Sequence, residues 1–132
     1  MNTSPIKEFY DLRAWQHAHE IALMAYPLTA RYPAEEKFSL VSQTRRAASS
    51  GSANIAEGFG RFHFRDKIRF YQQARGSEIE LHNHLLLAKD LGYITETELH
   101  ECIDKITVVL KELNGLIATT EHYHGKTDLR NH

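Results

Sequence analysis

Apolar residues recur at helical spacing in four stretches of this chain, and no stretch alternates apolar and polar residues as a half-buried strand does. In the first, Leu12, Trp15, Ala18, Ala22 and Ala25 share one face. Asp11 is a good N-cap for that helix, and Tyr10 and Trp15 are spaced to form a hydrophobic staple across it. Pro27 lacks an amide donor and crowds the preceding turn, so a kink or an early end is expected there, with Pro33 closing the segment. The second stretch places Leu40, Thr44, Ala47, Ala48, Gly51 and Ile55 on one face, with Gly58 and Gly60 as its stop. From Ala47 to Ala53 it holds only Ala, Ser and Gly, which permits a close helix approach. Gly51 costs up to about 1 kcal/mol in helix propensity, a loss that close packing must make up.

The third stretch runs from Phe64 to Leu91, with Ile68, Tyr71, Ala74, Leu81, Leu85 and Ala88 as its stripe and Gly92 as its stop. At a rise of about 1.5 Å per residue this is a rod of roughly 40 Å. The fourth opens on the clearest start signal in the chain: Thr95 and Glu98 make a capping box, and Ile94 faces Leu99 as a staple. Leu99, Cys102, Ile103, Ile106, Val109, Leu110 and Leu113 carry the stripe to Leu116 or Ile117. Periodicity is lost beyond Glu121. The organisation predicted is a lead-in over 1–10, a bundle over 11–121 and a loose tail over 122–132. Short connections make neighbouring helices antiparallel, so the expected fold class is all-α, an antiparallel up-down four-helix bundle.

With 132 residues the chain suits one domain, and 42% apolar with 25% charged residues is ordinary globular usage. Sixteen Lys and Arg against seventeen Asp and Glu leave a net charge of -1, so any site for a polyanion must be a local patch. Arg61, Arg65, Lys67, Arg69 and Arg75, with His63, form such a patch over the hairpin between the second and third helices. Glu96, Glu98, Glu101 and Asp104 make the start of the fourth helix acidic. Phe62, Phe64 and Phe70 lie among the cations, a composition compatible with base stacking. The same residues also read as ordinary bundle-end charges with their rings turned inward.

Gln43, Arg46, Ser50, Asn54 and Glu57 form a second, polar stripe on the second helix. If the third helix folds back antiparallel, Arg46 falls opposite Gly76 and within a turn of Glu80. The missing side chain at Gly76 would give a guanidinium room. A partly buried Arg46–Glu80 pair is therefore expected, within a structural polar network of Gln43, Arg46, Asn54, Glu57 and Glu80; the alternative is a solvated face.

Nine histidines raise the question of a metal. A di-iron bundle needs Glu-x-x-His on two helices, and this chain has one, Glu121 to His124. Glu78 with His82 and Glu80 with His84 are i,i+4 pairs that could hold a metal across a subunit contact, but solvent-exposed pairs are commoner. No metal and no cofactor is expected. Cys102 lies on an apolar stripe and, as the only cysteine, fits a reducing compartment. No serine elbow or phosphate loop occurs, so an enzyme is disfavoured. The N-terminus has no apolar signal core and no run approaches the ~20 apolar residues of a membrane span, so a cytoplasmic location is expected.

Ser42-Gln43-Thr44-Arg45-Arg46-Ala47-Ala48, followed by Asn54-Ile55-Ala56-Glu57-Gly58-Phe59-Gly60-Arg61, resembles the four-helix-bundle proteins encoded within intervening sequences of bacterial 23S ribosomal RNA genes. The likeness extends to Asp11-Leu12 with Trp15, to Tyr32-Pro33 with Glu36, to Gly76-Ser77 with Glu80-Leu81, and to Leu87 through Tyr93. It implies a bundle that associates into a five-membered ring. It also implies kinship with the accessory protein of diversity-generating retroelements, which binds nucleic acid and a reverse transcriptase. Phe59, Tyr71 and Tyr93, which a lone bundle cannot easily all bury, add to the expectation of a homopentamer. Four departures stand out: Gly51 and Ser52 replace an apolar residue and a proline, Glu78 replaces an apolar residue, His63 replaces a serine cap, and Pro27 interrupts the first helix.

The expected function is that of a non-enzymatic, ring-forming scaffold that binds RNA or DNA, or a nucleic-acid-processing partner such as a reverse transcriptase, through the Arg61 to Arg75 edge. The alternative is a purely structural or protein-interaction oligomer.

Overall fold

The computed structural model describes residues 5–131, with side chains described as far as residue 123. It contains α1 (Arg13–Thr29), α2 (Leu40–Gly60), α3 (Phe64–Asp90) and α4 (Glu96–Asn131), and no strand among the described residues. Each helix packs on its neighbour in sequence and α1 closes against α4, giving an all-α four-helix bundle. Residues paired across α2 and α3 run in opposite senses, Ser50 meeting Ser77 at 3.0 Å and Arg46 meeting Glu80 at 3.5 Å. The α1–α4 pairs, His17 with Glu112 at 2.6 Å and Glu20 with Lys105 at 3.2 Å, do the same. These directions are compatible with the up-down arrangement. Ile21, Ile55, Leu81, Leu85, Ile106, Val109 and Leu113 fill the centre, and the alanines of α1 and α2 let the helices approach.

Two helix ends form as their sequences predict. Thr95 N–H donates to Glu98 Oε1 at 2.9 Å and Glu98 N–H to Thr95 Oγ1 at 3.1 Å, while Ile94 and Leu99 are both buried. Gly92 takes φ 82°, and Tyr93 N–H reaches back to Ala88 O at 2.9 Å, closing α3 as a Schellman turn.

Others differ. Asp11 caps a 3-10 turn at Phe9–Asp11 instead of α1: its carboxylate accepts from the Lys7 and Glu8 amides at 3.1 and 3.0 Å, which lowers its pKa. Trp15 packs edge-on against Phe9, ring centroids 5.3 Å apart. Pro27 neither ends α1 early nor closes it. It sits on the exposed face in the helix's last turn, where the carbonyl it leaves unbonded can be hydrated. Gly58 is not a stop: α2 continues to Gly60, and a Cβ on Gly58 would come within 2.7 Å of the Tyr71 ring and 3.1 Å of Lys67 O. Its role is to let α3 lie close. Gly51 has the same role toward one side chain, for a Cβ there would overlap Glu78 Oε1 and lie 3.0 Å from its Cδ.

The helical backbone of α4 continues to Asn131, past the point where a loose tail is predicted. The apolar stripe ends near Ile117, the last residue packed against the core. The His124 side chain of the Glu121–His124 pair lies outside the described residues. Tyr71 and Tyr93 need no second subunit: Tyr71 is buried against Gly58, and Tyr93 donates to Glu36 at 2.9 Å while its ring packs on Tyr32.

Candidate nucleic-acid interface

α2 ends with Arg61 in extended conformation and α3 begins three residues later, with Arg65 and Arg69 one turn apart on its exposed face and Arg61 brought beside Arg69 at the Phe70 ring. The guanidinium groups of Arg61 and Arg69 both lie over the ring of Phe70, at 4.6 and 4.8 Å from its centroid. Arg65 stands over Phe64 at 5.7 Å. Stacking fixes these cations while leaving their edges open to an anion. Arg61 pairs with Glu57 at 3.1 Å and Arg69 with Asp66 at 3.6 Å. Both pairs are exposed and within one turn, the weak kind that a phosphate can displace. Phe62 beside them is 93% exposed. Phe64 and Phe70 are half-buried, so the rings divide between inward packing and open surface.

Two of the five predicted cations do not belong to this face. Lys67 turns back to α2 and donates to the carbonyl of Phe59 at 2.6 Å and of Gly58 at 3.4 Å, satisfying orphan groups at the helix end. Desolvation lowers its pKa. Arg75 turns toward α4 and donates to Asn114 Oδ1 at 3.1 Å.

The predicted polar network separates into pieces. The α2–α3 register is about one turn from the one predicted, so Arg46 faces Glu80 directly, at 3.5 Å, and nothing approaches the missing Cβ of Gly76. The pair forms, but it is not buried: the Arg46 side chain is 70% exposed and that of Glu80 43%. Glu80 also contacts His84 at 3.3 Å. Asn54 donates to Ser50, whose hydroxyl contacts Ser77, while Glu57 accepts from Arg61. Gln43 is exposed beside a groove lined by Asn83 and His84. Among the described residues no cluster of metal-ligating side chains forms. Burial pushes the Cys102 thiol up to about 11, which keeps it protonated.

A second basic cluster escaped the sequence reading. Tyr26, Lys37, Phe38, Ser42, Arg45 and Arg46 line a cleft of about 490 Å³ where the end of α1 meets the start of α2. Its cations are few and separated in sequence, so no charge run marks it. The adjacent Lys37-Phe38 and Arg45-Arg46 are the only local signal.

A family model described as 23S rRNA-intervening sequence protein matches residues 10–115. Among solved structures, the chain is similar to a protein of unknown function from the S23 ribosomal protein family of Bacteroides thetaiotaomicron. The two are 25% identical with a TM-score of 0.73, over 79% of this chain and 97% of that one. No curated protein gives a significant match. No helix among the described residues is long and apolar enough to cross a membrane.

Proposed function

The chain belongs to the 23S rRNA-intervening sequence protein family, and we propose that it is a non-enzymatic, ring-forming scaffold that holds nucleic acid on the face carrying Arg61, Arg65 and Arg69. The observation that carries this reading is the placement of two guanidinium groups on one ring, Phe70, with Arg65 between them in sequence and Phe62 exposed alongside. Cations seated on aromatic surface offer phosphate contacts and a stacking platform together, the combination that binds single strands without reading sequence. Lys67, bonded to the α2 carbonyls, and Arg75, turned toward Asn114 of α4, are left out of the binding face. A nucleic-acid-processing protein, such as a reverse transcriptase, is the proposed partner on the same strand.

Assembly into a homopentamer is part of the proposal. Its support is the resemblance in sequence together with the exposed Ile79 and Leu86, two turns apart on the outer side of α3. Five copies would repeat a modest site around a ring, and weak contacts on one strand then gain through effective concentration. The test is titration of labelled single-stranded RNA and DNA over a range of salt. Binding at low salt that falls steeply as salt rises supports the reading, and absence of binding at low salt would leave a protein-interaction oligomer as the better one.

A further inference from the structure

Arg45 is half-buried, yet no carboxylate among the described residues lies within ion-pair distance of it. It is nevertheless held in place. Its Nε–H donates to Thr29 Oγ1 at 2.8 Å, an Nη2–H donates to Tyr26 O at 3.2 Å, and its guanidinium lies 4.7 Å from the centroid of the Tyr26 ring. A guanidinium has five N–H donors, so three remain for a ligand. A half-buried cation without a counter-charge costs free energy that an anion seated against it offsets.

Among the described residues the cleft beside Arg45 is lined by three cations, Lys37, Arg45 and Arg46, and by no carboxylate. In a chain of net charge -1 this is a local inversion of sign. Glu36, close in sequence, is turned away: its carboxylate accepts from Ser39 at 2.6 Å and from Tyr93 at 2.9 Å, and it lines the groove on the α3 side. Among the described residues Arg46 pairs only with Glu80, in an exposed pair that competes weakly with a ligand. The opposite character comes from the rings. Phe38 is 89% exposed with the Lys37 ammonium 5.4 Å from its centroid, and Tyr26 is also exposed.

Inorganic phosphate would use the cations and leave the rings bare, and an apolar peptide would do the reverse. The acidic start of α4 on a second copy, Glu96 to Asp104, would satisfy charge, but its one exposed ring, His100, is held against Glu96 of its own helix at 3.6 Å. A ligand with a planar ring and a phosphate uses both. We propose that this cleft is a nucleotide subsite, seating a base against Phe38 and Tyr26 and its phosphate on Lys37, Arg45 and Arg46. Its volume of about 490 Å³ is in the range of small-ligand sites. It is separate from the Arg61 face, since sixteen residues of helix place Arg45 and Arg61 about 24 Å apart along α2, and it stands whether or not that face binds.

Isothermal titration calorimetry of the full chain tests this with adenosine 5′-monophosphate and, separately, inorganic phosphate. The nucleotide is expected to bind at least tenfold more tightly than phosphate. Phe38→Ala, at an exposed position where folding is not at stake, should weaken the nucleotide at least fivefold and leave phosphate unchanged. Arg45→Gln, which keeps a donor for Thr29, should weaken both at least tenfold. The loss on Phe38→Ala should persist in an Arg65→Glu, Arg69→Glu background, where the other face cannot contribute. In that same doubly reversed protein, a 5′-phosphorylated tetra-adenylate that binds more tightly than the mononucleotide assigns the subsite to a strand, and equal affinity assigns it to a free nucleotide. The proposal is overturned if the nucleotide binds no better than phosphate, or if Phe38→Ala leaves nucleotide affinity unchanged. It is also overturned if Phe38→Ala changes the mass in light scattering, which would make the cleft a contact between copies.

Discussion

The carboxyl group of Glu78 occupies the notch that Gly51 leaves in α2. Glu78 is 0% exposed, neither of its carboxyl oxygens has a hydrogen-bond partner among the described residues, and a Cβ on residue 51 would overlap Oε1. The two residues therefore share one space. Gly51→Ala gains about 1 kcal/mol in helix propensity, and that gain should appear only where the carboxyl has been removed. In a Glu78→Ala background the substitution is expected to stabilise; in the parent it should be neutral or destabilising. A double-mutant cycle by chemical denaturation should give a coupling of about 1 kcal/mol or more. Additive effects would show that the two positions do not compete.

Burial without a partner disfavours the charged form of Glu78 and pushes its pKa up to about 8, from an ordinary value of 4.5. The folded state then keeps a proton that the unfolded chain releases. The resulting stability is fully present below pH 4.5 and is lost as pH rises through about 8. Glu78→Gln should match the parent near pH 4.5 and exceed it at pH 8.5 by on the order of 4 kcal/mol. Parallel stability curves for the two proteins over this window would mean that the carboxyl is solvated or paired.

Arg46→Ala should cost no more than about 1 kcal/mol, because its pair with Glu80 is exposed and water takes over both charges. Gly58→Ala should cost more, on the order of 2 kcal/mol, since the new methyl meets the Tyr71 ring and the Lys67 carbonyl, which is backbone and cannot swing aside. Denaturation midpoints compare them directly, and a larger loss at Arg46 would restore a buried pair.

How much of this was legible in the sequence depended on the range of the interaction. The Thr95–Glu98 box and the Gly92 turn are local, complete within a few residues, and formed as written. Asp11 was misread because its carboxylate serves amides on its N-terminal side, where an earlier turn competes for it. The Arg46–Glu80 pair formed as read but its burial did not, because exposure depends on register and a shift of one turn put the pair at the surface and away from the gap at Gly76. Gly51 and Glu78 each departed from the family pattern as separate costs; only the α2–α3 contact shows that one accommodates the other. At the candidate interface the sequence placed five cations in one hairpin. The direction of each side chain then sent Lys67 to the end of α2 and Arg75 to α4.

The proposed ring predicts a mass near five chains by light scattering, unchanged on tenfold dilution in the micromolar range. Leu86→Glu, on the outer side of α3, should lower that mass without lowering helix content. A monomer for the parent would remove the ring from the proposal.

Charge reversal on the Arg61–Arg65–Arg69 face tests the central proposal most directly, by salt-titrated fluorescence anisotropy with labelled single-stranded RNA. The parent should bind at low salt, and its affinity should fall with a logarithmic slope of about 0.7 per neutralised phosphate. Arg65→Glu with Arg69→Glu should abolish binding or flatten that slope, while Arg75→Glu, whose parent side chain is turned to Asn114, should change it little. Equal affinity and slope in the parent and the doubly reversed protein would contradict the assignment of this face.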